Sequence, residues 1–283
     1  MLLKIFFELA ERWSGAFDQQ RTQQRALLLA LGLVCGVGRR TVTRALGFLG
    51  RTQRDWSADY RFFSRSAWDP KELFEPILED TLSDYMPQGL IAVALDDTGV
   101  PRNGKKISSA SWQRDPMSPP FHTNLLWGQR FLQTSLLVPL YRQNPQSSPR
   151  ALPIGFTECP VVKKPSKKAT DKQRAAYRQA KKKHNLSQQF VSEVRELRAR
   201  LDRHGMAQRL LLATGDGSYC NRTTFRAQWE RTSLLCRTRK DLRLCFPHQG
   251  NRSSLLQYQH LYSRRGLQRP GAPLEKGSHL SRP

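Results

Sequence analysis

The sequence predicts an α/β protein, a mixed sheet with flanking helices, preceded by an all-α, helix-turn-helix-like N-terminal region. Three observations carry this. Up to about residue 85 the apolar positions recur at helical spacing. From residue 91 the apolar runs are short and end on aspartates, as IAVALDD and LLLATGD do, which is how buried strands finish at the rim of a sheet. Between those runs lies a long stretch rich in Ala, Gln, Lys, Arg, Leu and Glu, a helix-forming composition.

Taken in order, Leu2, Leu3, Phe6, Phe7 and Leu9 open a helical pattern that resumes from Ala26 to Val34. Gly36, Gly38 and the Arg39-Arg40 pair break it. Thr41 then suits a helix cap, because its hydroxyl accepts from a first-turn N–H, and Val42, Ala45, Leu46 and Phe48 form an apolar stripe up to Gly50. Helix, glycine-containing turn and short basic helix is the order of a helix-turn-helix, with Arg39, Arg40 and Arg44 placed to meet DNA phosphates. An ordinary αα-hairpin has the same order, and both readings stand. Trp56, Tyr60, Phe63 and Trp68 follow near helical spacing, interleaved with Arg61 and Arg65. Such a mixture can stack on nucleic acid, but the spacing favours core. An amphipathic helix is expected from about Pro70 to Tyr85.

Strands are expected at IAVALDDT, at Phe131 to Leu140, at the LLLATG run and at SLLCRTR, residues 233 to 239. Residues 161–205 hold fourteen Lys or Arg against four Asp or Glu, so this segment supplies ten of the 24 net positive charges. Pro165 marks its start as loop, and Asp171 to His204 reads as one long helix. Phe190, Val194, Leu197 and Leu201 give its second half a face to pack on the sheet. The first half, with Lys181, Lys182 and Lys183, is left to solvent or DNA. Beyond about Gly250 no period persists, and Pro270, Pro273 and Pro283 sit among scattered Gly and Ser, so disorder is expected there. The resulting layout is a helical region at 1–87, an α/β domain at 88–250 carrying the basic segment 161–204, and an irregular tail at 251–283.

Composition narrows the functions. In 283 residues, 47 Lys plus Arg face 23 Asp plus Glu, a net charge of +24. Charge of that size draws polyanions, nucleic acid first. The longest apolar run, Ala26 to Gly38, falls short of the roughly 20 residues that span a bilayer. Lys4, Glu8 and Glu11 interrupt the opening apolar stretch and break the pattern of a secretory signal, so a cytoplasmic protein is expected, nucleoid-associated when bound to DNA. Five cysteines form no CxxC pair, and Cys245 with His248 lacks the second pair a zinc site needs. An RNA-binding reading rests on composition alone and leaves the strand-end aspartates unexplained.

Those aspartates are Asp96 and Asp97 on one strand and Asp216 on another. Carboxylates at strand ends bind hard divalent cations through oxygen, and two such ions support in-line phosphodiester cleavage. The other reading is structural: Asp96 and Asp97 capping a turn, Asp216 in a Gly-Asp-Gly turn. From the residues alone both remain open.

The block from Leu95 to Pro139 resembles the first catalytic block of a group of DDE-superfamily transposases of bacterial insertion sequences. It contains Asp96-Asp97-Thr98, Gly104-Lys105, the stretch from Arg114 to His122 (RDPMSPPFH) and Gly128 to Leu132 (GQRFL). LLLATGDGSYCNRTTF is similar to the second catalytic strand of that family, RTRKDLRLCFP to the strand after it, and RRTVTRALGFLGRTQRDWSADYRFFSRSAW to its DNA-binding region. The likeness covers roughly residues 20–250.

That resemblance implies an RNase H-like fold, catalytic and metal-binding roles for Asp97 and Asp216, and Mg²⁺ or Mn²⁺ as cofactor. It implies double-stranded DNA as partner, through the terminal inverted repeats of an element, with a homodimer as a possible assembly and no membrane association. Asp96 is the weaker ligand, since adjacent strand residues face opposite ways. Lys105, Arg114, Arg130 and Lys240 join the arginines and lysines above as candidates for gripping phosphates. The family also uses a third acid, usually Glu, on a downstream helix. After Pro247 the likeness ceases, and Glu275, the only acid beyond it, stands among Pro and Gly that oppose a helix. The expectation is therefore a frameshifted or truncated transposase, inactive or impaired, or alternatively a non-catalytic DNA-binding remnant that competes for element ends.

Overall fold

The computed structural model describes residues 2–107, 109–115, 118–119, 121–122, 124–141, 143–227, 232–237 and 242–245, the side chains of 145–146, 235–237 and 242–245 excepted. The 251–283 tail, Glu275, Lys240 and His248 lie outside these residues, as does the Cys245 side chain.

The N-terminal region is helical throughout: α1 (Leu2–Glu11), α2 (Gln20–Cys35), α3 (Val42–Phe48), α4 (Ser57–Ser64) and α5 (Glu75–Asp84). Thr41 caps α3 as expected, its side chain accepting from the Arg44 N–H. The chain reaches α3 through Gly38, whose φ of +93° an L side chain rarely adopts. Helices α2 and α3 touch closely at Gly32, where a Cβ would stand 2.8 Å from the Ala45 carbonyl oxygen. Ala16, Phe17, Leu29, Ala45, Leu46 and Phe62 form a small core of their own.

A second, larger core lies between the sheet and helices α5 and α7. The strands are β1 (Ile91–Pro101), β2 (Ser111–Arg114), β3 (Leu125–Tyr141), β4 (Asn144–Glu158), β5 (Leu211–Gly215), β6 (Thr232–Arg237) and β7 (Leu242–Cys245). Their order is β2-β3-β1-β5-β6-β7, with β4 also on β3. β1, β3 and β4 pair antiparallel, whereas β1–β5 and β5–β6 pair parallel. Three antiparallel strands followed by two parallel ones, with the first strand central, is the RNase H-like arrangement. The mixed α/β architecture and the N-terminal helices therefore stand as expected.

Several local expectations do not. β1 does not stop at Asp96 and Asp97 but runs on to Pro101, because β3 remains its partner out to Gly128. Only on the β5 side does pairing end early, at Ala94 with Thr214. β4 carries Pro145, Pro149 and Pro153 and gave no strand signal; on an outer strand a missing N–H donor is tolerated. The long helix expected from Asp171 to His204 is two, α6 (Asp171–Lys183) and α7 (Leu186–Arg203). Asn185 makes the break, since its side chain accepts from the Gln188 N–H and starts a new helix. Finally, Trp56, Tyr60 and Phe63 are not core: they are 47%, 43% and 54% exposed. Asp59, held by Arg25, and Phe62, stacked on Trp68, occupy the inner side of α4 instead.

Candidate active site

The site begins with strand alternation. Val93 and Leu95 are buried on the face of β1 that meets α7, so Asp97, two residues on, takes that face, while Asp96 points to the other and is exposed. Across β3, Asp97 is paired with Leu132, and Arg130 lies one step further on the same face. Arg130 Nε stands 3.4 Å from Asp97 Oδ2.

β5 brings the second carboxylate alongside. The β1–β5 register ends at Ala94 and Thr214, and two residues beyond each stand Asp96 and Asp216. Asp216 leaves the strand and caps the following turn: its Oδ1 accepts from the Ser218 N–H at 2.9 Å and from the Ser218 hydroxyl at 2.5 Å. The structural role that Gly-Asp-Gly allows is thus present, and it leaves Asp216 exposed, with Oδ2 outside both of these bonds. Gly215 is needed just before it, because a Cβ there would meet the rings of Phe190 and Tyr219 at 3.0 Å.

Tyr219 joins the two strand ends. It is fully buried, packs on Phe190 with ring centroids 4.5 Å apart, and donates its hydroxyl to Asp97 Oδ1 at 3.1 Å. Burial, and then the charge of Asp97, push the phenol well above its ordinary value, so it remains a donor. The loop that carries it is fixed by Asn221, which caps α8 (Arg222–Arg226) and donates to Ser187 at the start of α7. Burial also raises the Asp96 carboxyl, assisted by the charges of Asp97 and Asp216 and opposed by the Asp97 amide that donates to it. Asp96 thus has a structural hydrogen bond, accepting from the Asp97 amide at 2.9 Å.

Of the other basic candidates, Lys105 stands exposed in the turn after β1 and Arg114 exposed on β2. Lys181, Lys182 and Lys183 form the last turn of α6, a helix with no buried residue. Arg39, Arg40 and Arg44 are exposed at the α2–α3 turn, where the Arg44 guanidinium covers Gly38. The structure thus joins Arg130 to Asp97 and sets these other cations on separate surfaces. Sequence reasoning missed Tyr219, whose only signal was an aromatic three residues after a strand-end aspartate. Cys159 also lies nearby, its amide donating to the Arg130 carbonyl, but burial pushes its thiol up to about 12 and leaves it inert.

Asp97 and Asp216 offer the carboxylate oxygens that a hard divalent cation prefers. Asp216 is exposed with its Oδ2 outside the capping bonds, so the donor chemistry fits a cation held through two protein ligands. Among the described residues, no group of three or more His, Cys, Asp or Glu side chains could hold a metal ion.

Residues 14–272 match the family described as DDE superfamily endonuclease. The match begins before and ends beyond the 20–250 likeness read from the motif blocks, and it continues past Pro247. None of the curated proteins matches the chain. Endonucleases of this superfamily act on DNA and typically use divalent metals. Among the described residues no helix is long and apolar enough to cross a membrane.

Proposed function

We propose that this chain, which belongs to the DDE superfamily endonucleases, is a DNA transposase of the insertion-sequence type, with its phosphodiester chemistry placed at Asp97 and Asp216. The observation that supports this reading is the register of two adjacent parallel strands, which sets Asp96 and Asp216 two residues past their last pair, with Asp97 next in line, bonded by Tyr219 from the turn after Asp216 and paired with Arg130 of β3. We take residues 1–87 as the DNA-binding unit and 88–250 as the catalytic unit, whose basic segment 161–204 lies against DNA.

Asp97 and Asp216 would hold Mg²⁺ or Mn²⁺, which would polarise the scissile phosphate and lower the pKa of an attacking water. The chain's own residues set the rest. Tyr219 fixes the direction of the Asp97 carboxylate and, staying protonated, takes no proton from water. Arg130 supplies positive charge at the carboxylate edge, where a phosphate oxygen would come. The +24 charge concentrates duplex DNA, the terminal inverted repeats of the element being the cognate form. Pairing of two such ends would call for a homodimer.

We further propose that cleavage by this chain is impaired. The support is the count of acids: Asp97 and Asp216 stand without a third convergent carboxylate among the described residues, and Glu275 sits in a Pro- and Gly-rich setting. Such a chain would still occupy element ends and compete for them, which is the second reading.

Nicking of terminal-repeat DNA with Mg²⁺ or Mn²⁺ tests the activity. Binding without cleavage is expected, and robust cleavage that disappears in Asp97→Ala would overturn the impairment while supporting the site. Binding should fall by about 10³ to 10⁵ between 50 and 200 mM salt if six to ten phosphates are contacted. Weak, salt-insensitive binding would remove the DNA reading itself.

A further inference from the structure

Three of the aromatic residues at α4 lie outside both cores. Trp56, Tyr60 and Phe63 recur at spacings of four and three and so form one stripe along the helix. They are 47%, 43% and 54% exposed, and Phe48, at the end of α3, is 55% exposed. The stripe is rigidly mounted. On the inner side of α4, Asp59 is buried against Arg25 and Phe62 stacks on Trp68 at 5.2 Å with 13° between the rings. Across the outer side, the Tyr60 hydroxyl lies 2.7 Å from the Thr43 hydroxyl of α3. Trp56 leans on Tyr60 at 5.7 Å, and the two border a shallow hollow with Asp55 and Ser57. Large side chains held this firmly in water are a binding surface in form, because their exposure stabilises nothing within the fold.

The surrounding charge selects the occupant. Residues 39–65 contain seven arginines and two aspartates, and of the two Asp59 is buried. Two copies of this surface facing each other would oppose like charges, whereas a polyanion would be drawn to it. Arg39 and Arg40 stand in the α2–α3 turn, and Arg44 lies on α3 next to Thr43, the residue that Tyr60 meets.

We propose that Trp56, Tyr60 and Phe63, with Arg44 of the adjoining helix α3, form a composite surface for duplex DNA, in which the arginines engage phosphates and the aromatic stripe lies against sugars and base edges. This deepens the DNA-binding reading and rests on it. It assigns α4, not α3 alone, as the element that contributes non-ionic affinity. Phosphate contacts and aromatic contacts differ in their salt dependence, because only the former release counterions.

The test uses the full chain and a labelled mixed-sequence duplex of about 30 base pairs, three turns of B-form DNA. The double variant Trp56→Ala, Tyr60→Ala is expected to weaken binding at least about tenfold at every salt concentration, with the slope of log affinity against log salt unchanged. Arg44→Ala should lower that slope by about one. Hydroxyl-radical footprinting of the unaltered protein provides a readout independent of variant folding, and duplex DNA should protect Trp56, Tyr60 and Phe63 from oxidation. Parent-like binding by the double variant with unprotected rings would overturn the proposal while leaving DNA binding intact. So would a double variant that turns a dimer into a monomer at unchanged DNA affinity, which would make the stripe a contact between copies. Failure of the parent itself to bind duplex would remove the underlying reading as well.

Discussion

Tyr219 donates its hydroxyl to Asp97 from a fully buried position, so a residue from the turn after β5 orients a carboxylate on β1. The bond is charge-assisted, and the phenol that makes it stays protonated because burial and the Asp97 charge oppose its ionisation. Tyr219→Phe keeps the ring on Phe190 and removes only the donor. A loss of about 1.5–3 kcal/mol in urea denaturation is expected, the range for hydrogen bonds to charged groups. An unchanged midpoint would mean that the bond does not form in solution.

Asp216 caps the turn after β5 and is proposed to bind a cation, and substitution can separate the two. Asn keeps a side-chain oxygen for the Ser218 N–H, whereas Ala removes the cap. Asp216→Ala should cost about 0.5–2 kcal/mol and Asp216→Asn a few tenths or less, as for N-caps in general. Both should abolish any metal-dependent response. Equal stability of the two variants would show that the cap contributes nothing.

The N-terminal helices are joined to the catalytic layer by ionic contacts between α5 and α7. Arg200 Nε stands 2.7 Å from Glu75 Oε1, with the two side chains 12% and 24% exposed. His204 Nε2 lies 3.1 Å from the other Glu75 oxygen. Removing Arg200 leaves the partly buried Glu75 with His204 alone, so Arg200→Ala should destabilise by about 1.5–3 kcal/mol, the range for hydrogen bonds to charged groups. The more exposed Lys71–Glu196 pair should give about 1 kcal/mol or less when Lys71 is replaced by Ala. Thermal melts of the two variants check the contrast, and comparable losses would contradict it.

Glu193, on α7, carries a carboxyl raised above the ordinary value, first by burial, and also by repulsion from Glu196. Lys71, the Thr157 hydroxyl and Arg200 oppose the shift without cancelling it. A raised folded-state value means that the stabilising contribution is present below the unfolded pKa and is lost as pH rises through the folded one. Glu193→Gln has no such group. Its stability relative to the parent should therefore improve as pH rises from below the ordinary value through the raised one. A difference that is constant across that range would contradict the burial argument.

Much of this was legible in sequence because it follows from local chemistry. The cap at Thr41, the apolar stripe from Phe190 to Leu201 and the two aspartate-bearing strands all depend on residues near one another in the chain. What was not legible depends on partners far away. β1 continues past Asp97 only because β3 lies beside it, and β4 holds its prolines only because it lies outside β3. The stripe at Trp56, Tyr60 and Phe63 has the spacing of a core face, yet Asp59 and Phe62 take the interior through Arg25 and Trp68. Tyr219 was hidden for the same reason, since its partner is 122 residues away. The break at His184 and Asn185 was local and readable in principle, but the strong helical composition on both sides covered it.

The central claim is that Asp97 and Asp216 together form the cation site of this endonuclease. Thermal unfolding with and without Mn²⁺, at matched ionic strength, tests it most directly, because a ligand of the folded state alone raises stability by RT ln(1 + [L]/Kd). A chain of net charge +24 has little general attraction for cations, so a rise in melting temperature would point to a local carboxylate site. The account predicts a rise that grows with Mn²⁺ in the parent and is absent in both Asp97→Asn and Asp216→Asn. Equal rises in all three proteins, or none in the parent, would contradict it.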